Sequence, residues 1–287
     1  MVLGSGAEAL IQLATMSIKQ IQNLILDMDG VLWHGNRPVL GLPDFFDQIA
    51  ALGLRWVFAT NNSSKTRQQY VSKFGGMGVT IDPNQVMTSA VATGHYMQDA
   101  IPAGSNVYIL GGDGLHESMT EAGFHVLARD DYQTPAAAVV AGLNLETTYA
   151  DMSIATLQIR NHGAKFIGSN ADSTYPTERG LLPGAGAVLS SIETATDQKP
   201  IVVGKPFPIM YQQALKLLGN GATLTNTAMV GDRLNTDVAG AKGVGMRSVL
   251  VMSGITQPAD LEASEMKPDF VMSGILELTA ELAKVHK

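Results

Sequence analysis

At 287 residues, with 45% apolar side chains, the chain has material for one large or two moderate globular domains with a real core. Its formal charge of −7 comes without long runs of one sign, which argues against nucleic acid or an anionic membrane surface as main partner and suits a divalent cation. Having no cysteine, it excludes disulfide scaffolds, thiol catalysis and thiolate zinc sites, and it fits a cytoplasmic setting.

Residues 1–15 precede a second methionine, Met16, and read as a short extra helix or an extended start. No basic segment stands ahead of their short apolar run, and nothing downstream approaches the roughly 18 uninterrupted apolar residues of a membrane span, so neither secretion nor insertion is expected. From there, apolar strand-like runs alternate with helix-period segments, the pattern of parallel sheets built from βαβ units. Strands are expected at 24–27 and 56–60, with helices beginning after Leu42-Pro43 and near Ser64.

The middle has its own alternation. It comprises a strand at 107–110, a glycine turn at 111–114, a strand within 136–142, a helical stretch near 152–161 and a strand at 165–169. The Gly184-Ala185-Gly186 turn and the polar stretch 193–199 then return the chain. A helix after Lys205-Pro206, a strand at 228–231, a helix near Asn235 and a strand at 248–252 complete the series. The expected architecture is α/β: a Rossmann-like, doubly wound parallel-sheet core made of residues 1–86 and 203–287, interrupted by a smaller inserted α/β domain at 87–202.

Four clusters carry chemistry. Asp27 and Asp29 follow the first strand and precede Gly30, where a parallel sheet keeps its ligands. Two close carboxylates repel, so the pair asks for a cation, a lysine or a shared proton. Asp27 is placed to attack phosphorus and form an aspartyl-phosphate, and Asp29 to protonate the leaving oxygen and later accept a proton from water. D-x-D-G alone would equally serve an Asx turn.

Thr60-Asn61-Asn62-Ser63 ends the second strand, where a hydroxyl, an amide and turn N–H groups make a cradle for phosphate oxygens. Lys205, on the stiff Gly204-Lys205-Pro206 turn, can neutralise both an aspartate nucleophile and a phosphate. Asp232, after another buried strand, can complete a magnesium site of hard oxygen ligands, with Asp237 holding a water or orienting Lys205.

In this order, Asp27-Met28-Asp29-Gly30-Val31, Thr60-Asn61-Asn62, Lys205 and Gly231-Asp232 with Asp237 resemble the four motifs of the haloacid dehalogenase superfamily. The insertion between the second and third, with Gly204-Lys205-Pro206 and the Gly-Asp-x-x-x-Thr-Asp spacing, is similar to its NagD-like phosphatases with a class IIA cap. The resemblance implies Mg²⁺-dependent hydrolysis of a small phosphorylated metabolite such as a nucleotide or sugar phosphate, under a mobile cap. It assigns Asp27 as nucleophile and metal ligand, and Asp29 as acid/base touching the metal through its backbone oxygen. Thr60, Asn61 and Lys205 hold phosphate, and Asp232 ligates metal with Asp237 behind it.

Substrate choice is expected to reside in the cap, where Asn170, Asp172 and Arg179 in the polar loop after 165–169 are candidates for the entrance. His34, in a short flap at 32–39, is a weaker one, and an exposed cap face offers a surface for a homodimer. Two other readings stay open at this point: a phosphotransferase or phosphomutase using the same aspartyl-phosphate, and a phosphate-accepting signalling module.

Overall fold

After a 3-10 turn (Ile18–Gln20), strand β1 (Asn23–Leu26) runs into the aspartate loop and a flap formed by β2 (Trp33–His34) and β3 (Arg37–Pro38). Helix α1 (Leu42–Ala51), strand β4 (Arg55–Thr60), helix α2 (Arg67–Gly75), strand β5 (Val86–Thr88) and helix α3 (Ser89–Ala100) follow. The middle contributes β6 (Asn106–Leu110), α4 (Asp113–Glu121), β7 (His125–Val126), β8 (Ala138–Ala141), α5 (Tyr149–His162) and β9 (Lys165–Gly168). A hairpin of β10 (Thr174–Thr177) and β11 (Gly180–Pro183), helix α6 (Ala185–Thr196) and β12 (Ile201–Val202) close it. The chain returns through α7 (Pro208–Leu218), β13 (Thr227–Gly231), a π turn (Leu234–Val238) running into α8 (Ala239–Val244), β14 (Arg247–Val251), α9 (Pro258–Ala263), β15 (Phe270–Met272) and α10 (Ile275–Val285). This computed structural model describes residues 18–177 and 179–286, so the reading of residues 1–15 lies outside the described residues.

Six strands form one parallel sheet in the order β15-β14-β13-β1-β4-β5. From β1 the chain winds outward through β4 and β5, and from β13 it winds the other way through β14 and β15. The winding direction therefore reverses between β1 and β13, and the C-terminal ends of those two strands flank the crevice where open α/β sheets bind ligands. β1 explains the layering. Its Leu24 and Leu26 enter one apolar cluster with Phe45, Phe46 and Ile49 of α1, while Ile25 enters another with Met210 and Ala214 of α7. Helices thus cover both faces, as a strand buried on both sides requires.

A second parallel sheet, in the order β12-β9-β8-β6-β7, is built wholly from residues 106–202. One apolar cluster runs without interruption from Ile25, Val57 and Met87 of the first sheet to Val107, Ile109, Val140 and Ile167 of the second. The inserted unit is therefore packed on the core through a shared hydrophobic layer, with α3 and α7 inside it.

Four details differ from the expectations. The expected junction between 86 and 87 cuts β5, whose Val86, Met87 and Thr88 pair with Phe58, Ala59 and Thr60; the chain leaves the sheet only at Ser89. Helix α2 starts at Arg67, not near Ser64, because the Asn62 side chain holds Ser64 in a turn and Thr66 with Gln69 forms a reciprocal capping box. The segment read as a glycine turn and polar return at 184–199 contains α6, a helix of 12 residues that buries Ala185, Leu189, Ile192 and Thr196 on one stripe. The loop after β9 carries a hairpin, β10–β11, that the sequence did not announce.

Candidate active site

Asp27 emerges directly from β1 and Asp232 directly from β13, so the reversal point of the sheet brings together residues 205 positions apart in sequence. Glycine permits the approach. Gly30 has φ +85, and a Cβ there would fall on the Asp232 carboxylate. A Cβ on Gly231 would fall on the side chain of Asp237, which the π turn folds back against the end of β13. Around this floor lies a cleft of about 670 Å³, lined among others by Asp27, Asp29, Thr60, Asn61, Lys205 and Asp232.

Lys205 is 3% exposed, and its ammonium has three oxygen neighbours: Asp27 Oδ1 at 2.9 Å, Asp237 Oδ1 at 2.7 Å and the Ala59 carbonyl at 3.1 Å. Burial alone would lower its pKa, but Asp237 and Asp27 hold it above the ordinary lysine range. Asp27 experiences the reverse. Burial pushes its carboxyl up to about 8, with Asp237 and Asp232 adding to the rise and Lys205 opposing it. Three buried carboxylates thus share one ammonium, and the deficit is a positive charge.

That deficit is the fit test for a metal. Carboxylate oxygens of Asp27, Asp232 and Asp237 all lie within 4.8 Å of one another. Asp232 Oδ2 accepts from Ile255 N at 2.7 Å, whereas its buried Oδ1 has no hydrogen-bond partner among the described residues. Burial, and then Asp237, raises the Asp232 pKa as well. An all-oxygen cluster with an orphaned buried oxygen and excess negative charge fits a hard divalent cation such as Mg²⁺. Asp237, with one oxygen on Lys205 and the other accepting from Arg233 N at 3.1 Å, stands behind this cluster.

The second-motif residues divide their labour differently from the expectation. Thr60 is buried at the edge of the cleft, and its hydroxyl oxygen accepts from Asn62 N at 3.1 Å. Asn61 is a clamp. Its Nδ2 donates to Asp172 Oδ1 and to the Lys205 carbonyl, both at 2.9 Å, and its Oδ1 accepts from Lys205 N at 2.7 Å. Its carbonyl accepts from Asn170 Nδ2 at 2.7 Å and Ser89 Oγ at 2.6 Å. Any contact of Asn61 with phosphate would therefore use its backbone N–H. Asn61→Ala should orphan the buried N–H and carbonyl of Lys205 at the return connection and release Asp172, costing about 1–3 kcal/mol of unfolding free energy in a urea titration.

Of the expected entrance residues, Asn170 and Asp172 line the cleft. Arg179 does not: it sits exposed in the turn between β10 and β11, while Thr174, Tyr175 and Thr177 of that hairpin face the cleft instead. His34 and Asn36 of the flap line it too. The sequence reading passed over Trp33, Tyr70 and Lys73. Trp33 Nε1 donates to Asp29 Oδ1 at 2.8 Å, and Lys73 Nζ lies 3.9 Å from the same oxygen. An apolar strand residue and a helix lysine give no local signal of such a role.

A family model described as haloacid dehalogenase-like hydrolase matches residues 24–125, and a second model of HAD-like hydrolases matches residues 202–278. The acid sugar phosphatase of Staphylococcus aureus is 38% identical over 267 residues, covering 93% of this chain and 100% of that one. The solved 4-nitrophenylphosphatase of Thermotoga maritima superposes with a TM-score of 0.84 at 34% identity, over 91% of this chain and 97% of that one. A glycerol phosphate phosphatase of Mycobacterium tuberculosis, solved in complex with magnesium, gives 0.83 at 30% identity, over 93% and 79%. The chain belongs to the haloacid dehalogenase-like hydrolases. Within that family it groups with the NagD-like enzymes.

Proposed function

We propose that this protein is a Mg²⁺-dependent phosphatase of small phosphate monoesters, acting through an aspartyl-phosphate on Asp27. The observation that carries the reading is the convergence of Asp27, Asp232, Asp237 and Lys205 at the reversal point of the sheet, with Asp29 beside them. The relatives' activities on sugar phosphate, glycerol phosphate and nitrophenyl phosphate support it.

Asp27 attacks phosphorus in line, and the bond to the leaving oxygen breaks as Asp29 delivers a proton to that oxygen. Water then attacks the phosphorus of the acyl phosphate, Asp29 takes up its proton, and inorganic phosphate leaves with Asp27 restored. Thr60 and the turn amides after it hold the equatorial oxygens, and Lys205 holds Asp27 in place while opposing the rise that burial gives its pKa. Asp27 and Asp232, with the Asp29 carbonyl, would hold Mg²⁺, which when bound supplies charge compensation for the transferring group. We place the core at 18–88 and 203–286, with the inserted unit between, and the reaction in the cytoplasm.

Purified protein with Mg²⁺, screened against phosphomonoesters for free phosphate, tests the reading. Multiple turnovers releasing inorganic phosphate are expected; a single phosphorylation event, or transfer to a second sugar without phosphate release, would overturn it. The metal has its own readout. Mg²⁺ at about 100 times its Kd should stabilise the wild-type fold by about 2.7 kcal/mol. Asp232→Asn should abolish most of that gain in thermal melts, and an undiminished Mg²⁺ shift in that variant would remove Asp232 from the metal site.

A further inference from the structure

We propose that Trp33 is a positioning residue for Asp29, setting which of its two oxygens carries the proton; this rests on the general-acid role given to Asp29 above. Trp33 is fully buried, yet its indole Nε1 donates to Asp29 Oδ1 at 2.8 Å. The backbone adds a second tie. Gly30 N donates to the Trp33 carbonyl at 2.8 Å, and Asp29 forms an isolated bridge with Trp33, so the aspartate loop is folded onto the first residue of the flap.

The indole itself is held from the other side by α2. Lys73 Nζ stands 4.0 Å above its ring centroid, and the Phe74 ring meets it edge-on at 4.9 Å and 73°. The same Lys73 ammonium lies 3.9 Å from Asp29 Oδ1. One hydrogen-bond donor and one ammonium therefore face the same carboxyl oxygen. No hydrogen bond reaches Asp29 Oδ2 from the described residues, and the side chain, 58% exposed, lines the cleft.

The chemical consequence concerns proton placement. The carbonyl oxygen of a carboxylic acid is a better acceptor than its hydroxyl, so an N–H bond to Oδ1 favours a protonated Asp29 with its hydrogen on Oδ2, the oxygen open to the leaving group. After the first half-reaction, Oδ2 is again the lone-pair site that receives the proton of water. Without the indole N–H, the proton distributes over both oxygens and the carboxyl rotates. The expected loss is then in leaving-group protonation, since an indole has no reach to phosphorus through the aspartate.

Leaving-group dependence reads this out. The ratio kcat/KM reports steps up to departure of the leaving group, which for p-nitrophenolate needs little protonation and for an alkoxide needs it fully. With Mg²⁺ present, Trp33→Phe should lower kcat/KM for glycerol phosphate by about 10-fold to 100-fold, and for p-nitrophenyl phosphate by less than about 3-fold. Site-specific insertion of β-(3-benzothienyl)alanine at position 33, which keeps the bicyclic volume but has no N–H, guards against a misfolded Phe variant and should show the same selective loss. Equal losses on both esters, or wild-type values on both with the benzothienyl residue, would overturn the proposal. Asp29→Asn is the separate control on the underlying reading: if it too strikes both esters equally, Asp29 is not the general acid, whatever Trp33 does.

Discussion

Replacing Asp27 with asparagine should abolish turnover while leaving the fold intact. The amide keeps the shape and the Lys205 contact but has no anionic oxygen to attack phosphorus, so kcat should fall roughly 10⁴-fold or more, as for loss of other catalytic nucleophiles. Stability should not fall with it. In the metal-free protein the folded-state pKa of Asp27 stands at about 8, well above the ordinary carboxylate range, so folding takes up a proton between those two values. By linkage, that group's contribution to stability declines as pH rises through this window. The substituted amide does not titrate, so near pH 8 in EDTA the Asp27→Asn variant should melt at or above the wild-type temperature. Retained Mg²⁺-dependent phosphatase activity, with mass spectrometry excluding deamidation, would remove Asp27 as nucleophile.

What was legible in the chain follows from where polar residues interrupt apolar runs. Asp27, Thr60 and Asp232 each terminate a buried parallel strand, and parallel strands present their C-terminal ends on one edge, so their convergence is readable from the sequence alone. Lys205 was readable from its stiff Gly-Lys-Pro setting.

Directions of side chains were less accessible. Asn61 belongs to the expected motif, but its amide turns to the Lys205 backbone and Asp172, partners 144 and 111 positions away, and no local pattern encodes that turn. Arg179 looked like an entrance residue because it lies in the polar stretch after the strand at 165–169; the unannounced hairpin carries it to a tip and brings Tyr175 into the cleft in its place. Helix α6 was obscured because Gly184 and Gly186 read as a turn, although its buried stripe at 185, 189, 192 and 196 was present in the sequence. Trp33 reads as packing, and by burial it is packing; its indole N–H and its backbone tie it to the aspartate loop.

Lys205→Ala should damage both turnover and stability, and this double effect separates it from Asp27→Asn. The Lys205 side chain is 3% exposed and its ammonium lies against two carboxylates and a carbonyl, so its removal leaves Asp27, Asp237 and Asp232 clustered without the cation they share. Breaking a buried pair by deleting one partner typically costs about 3–5 kcal/mol, and urea unfolding in EDTA should show a loss of that order. Arginine should not rescue it, since three acceptors converging on one point suit a compact ammonium and not a planar fork. Mg²⁺ should narrow the stability gap by supplying charge to the same carboxylates, yet it cannot restore the orientation of Asp27. Turnover should stay about 100-fold to 1,000-fold down at saturating metal. A variant as stable as wild type in EDTA would mean that Lys205 does not offset the negative charge of this cluster, and the charge balance drawn for this site would be wrong.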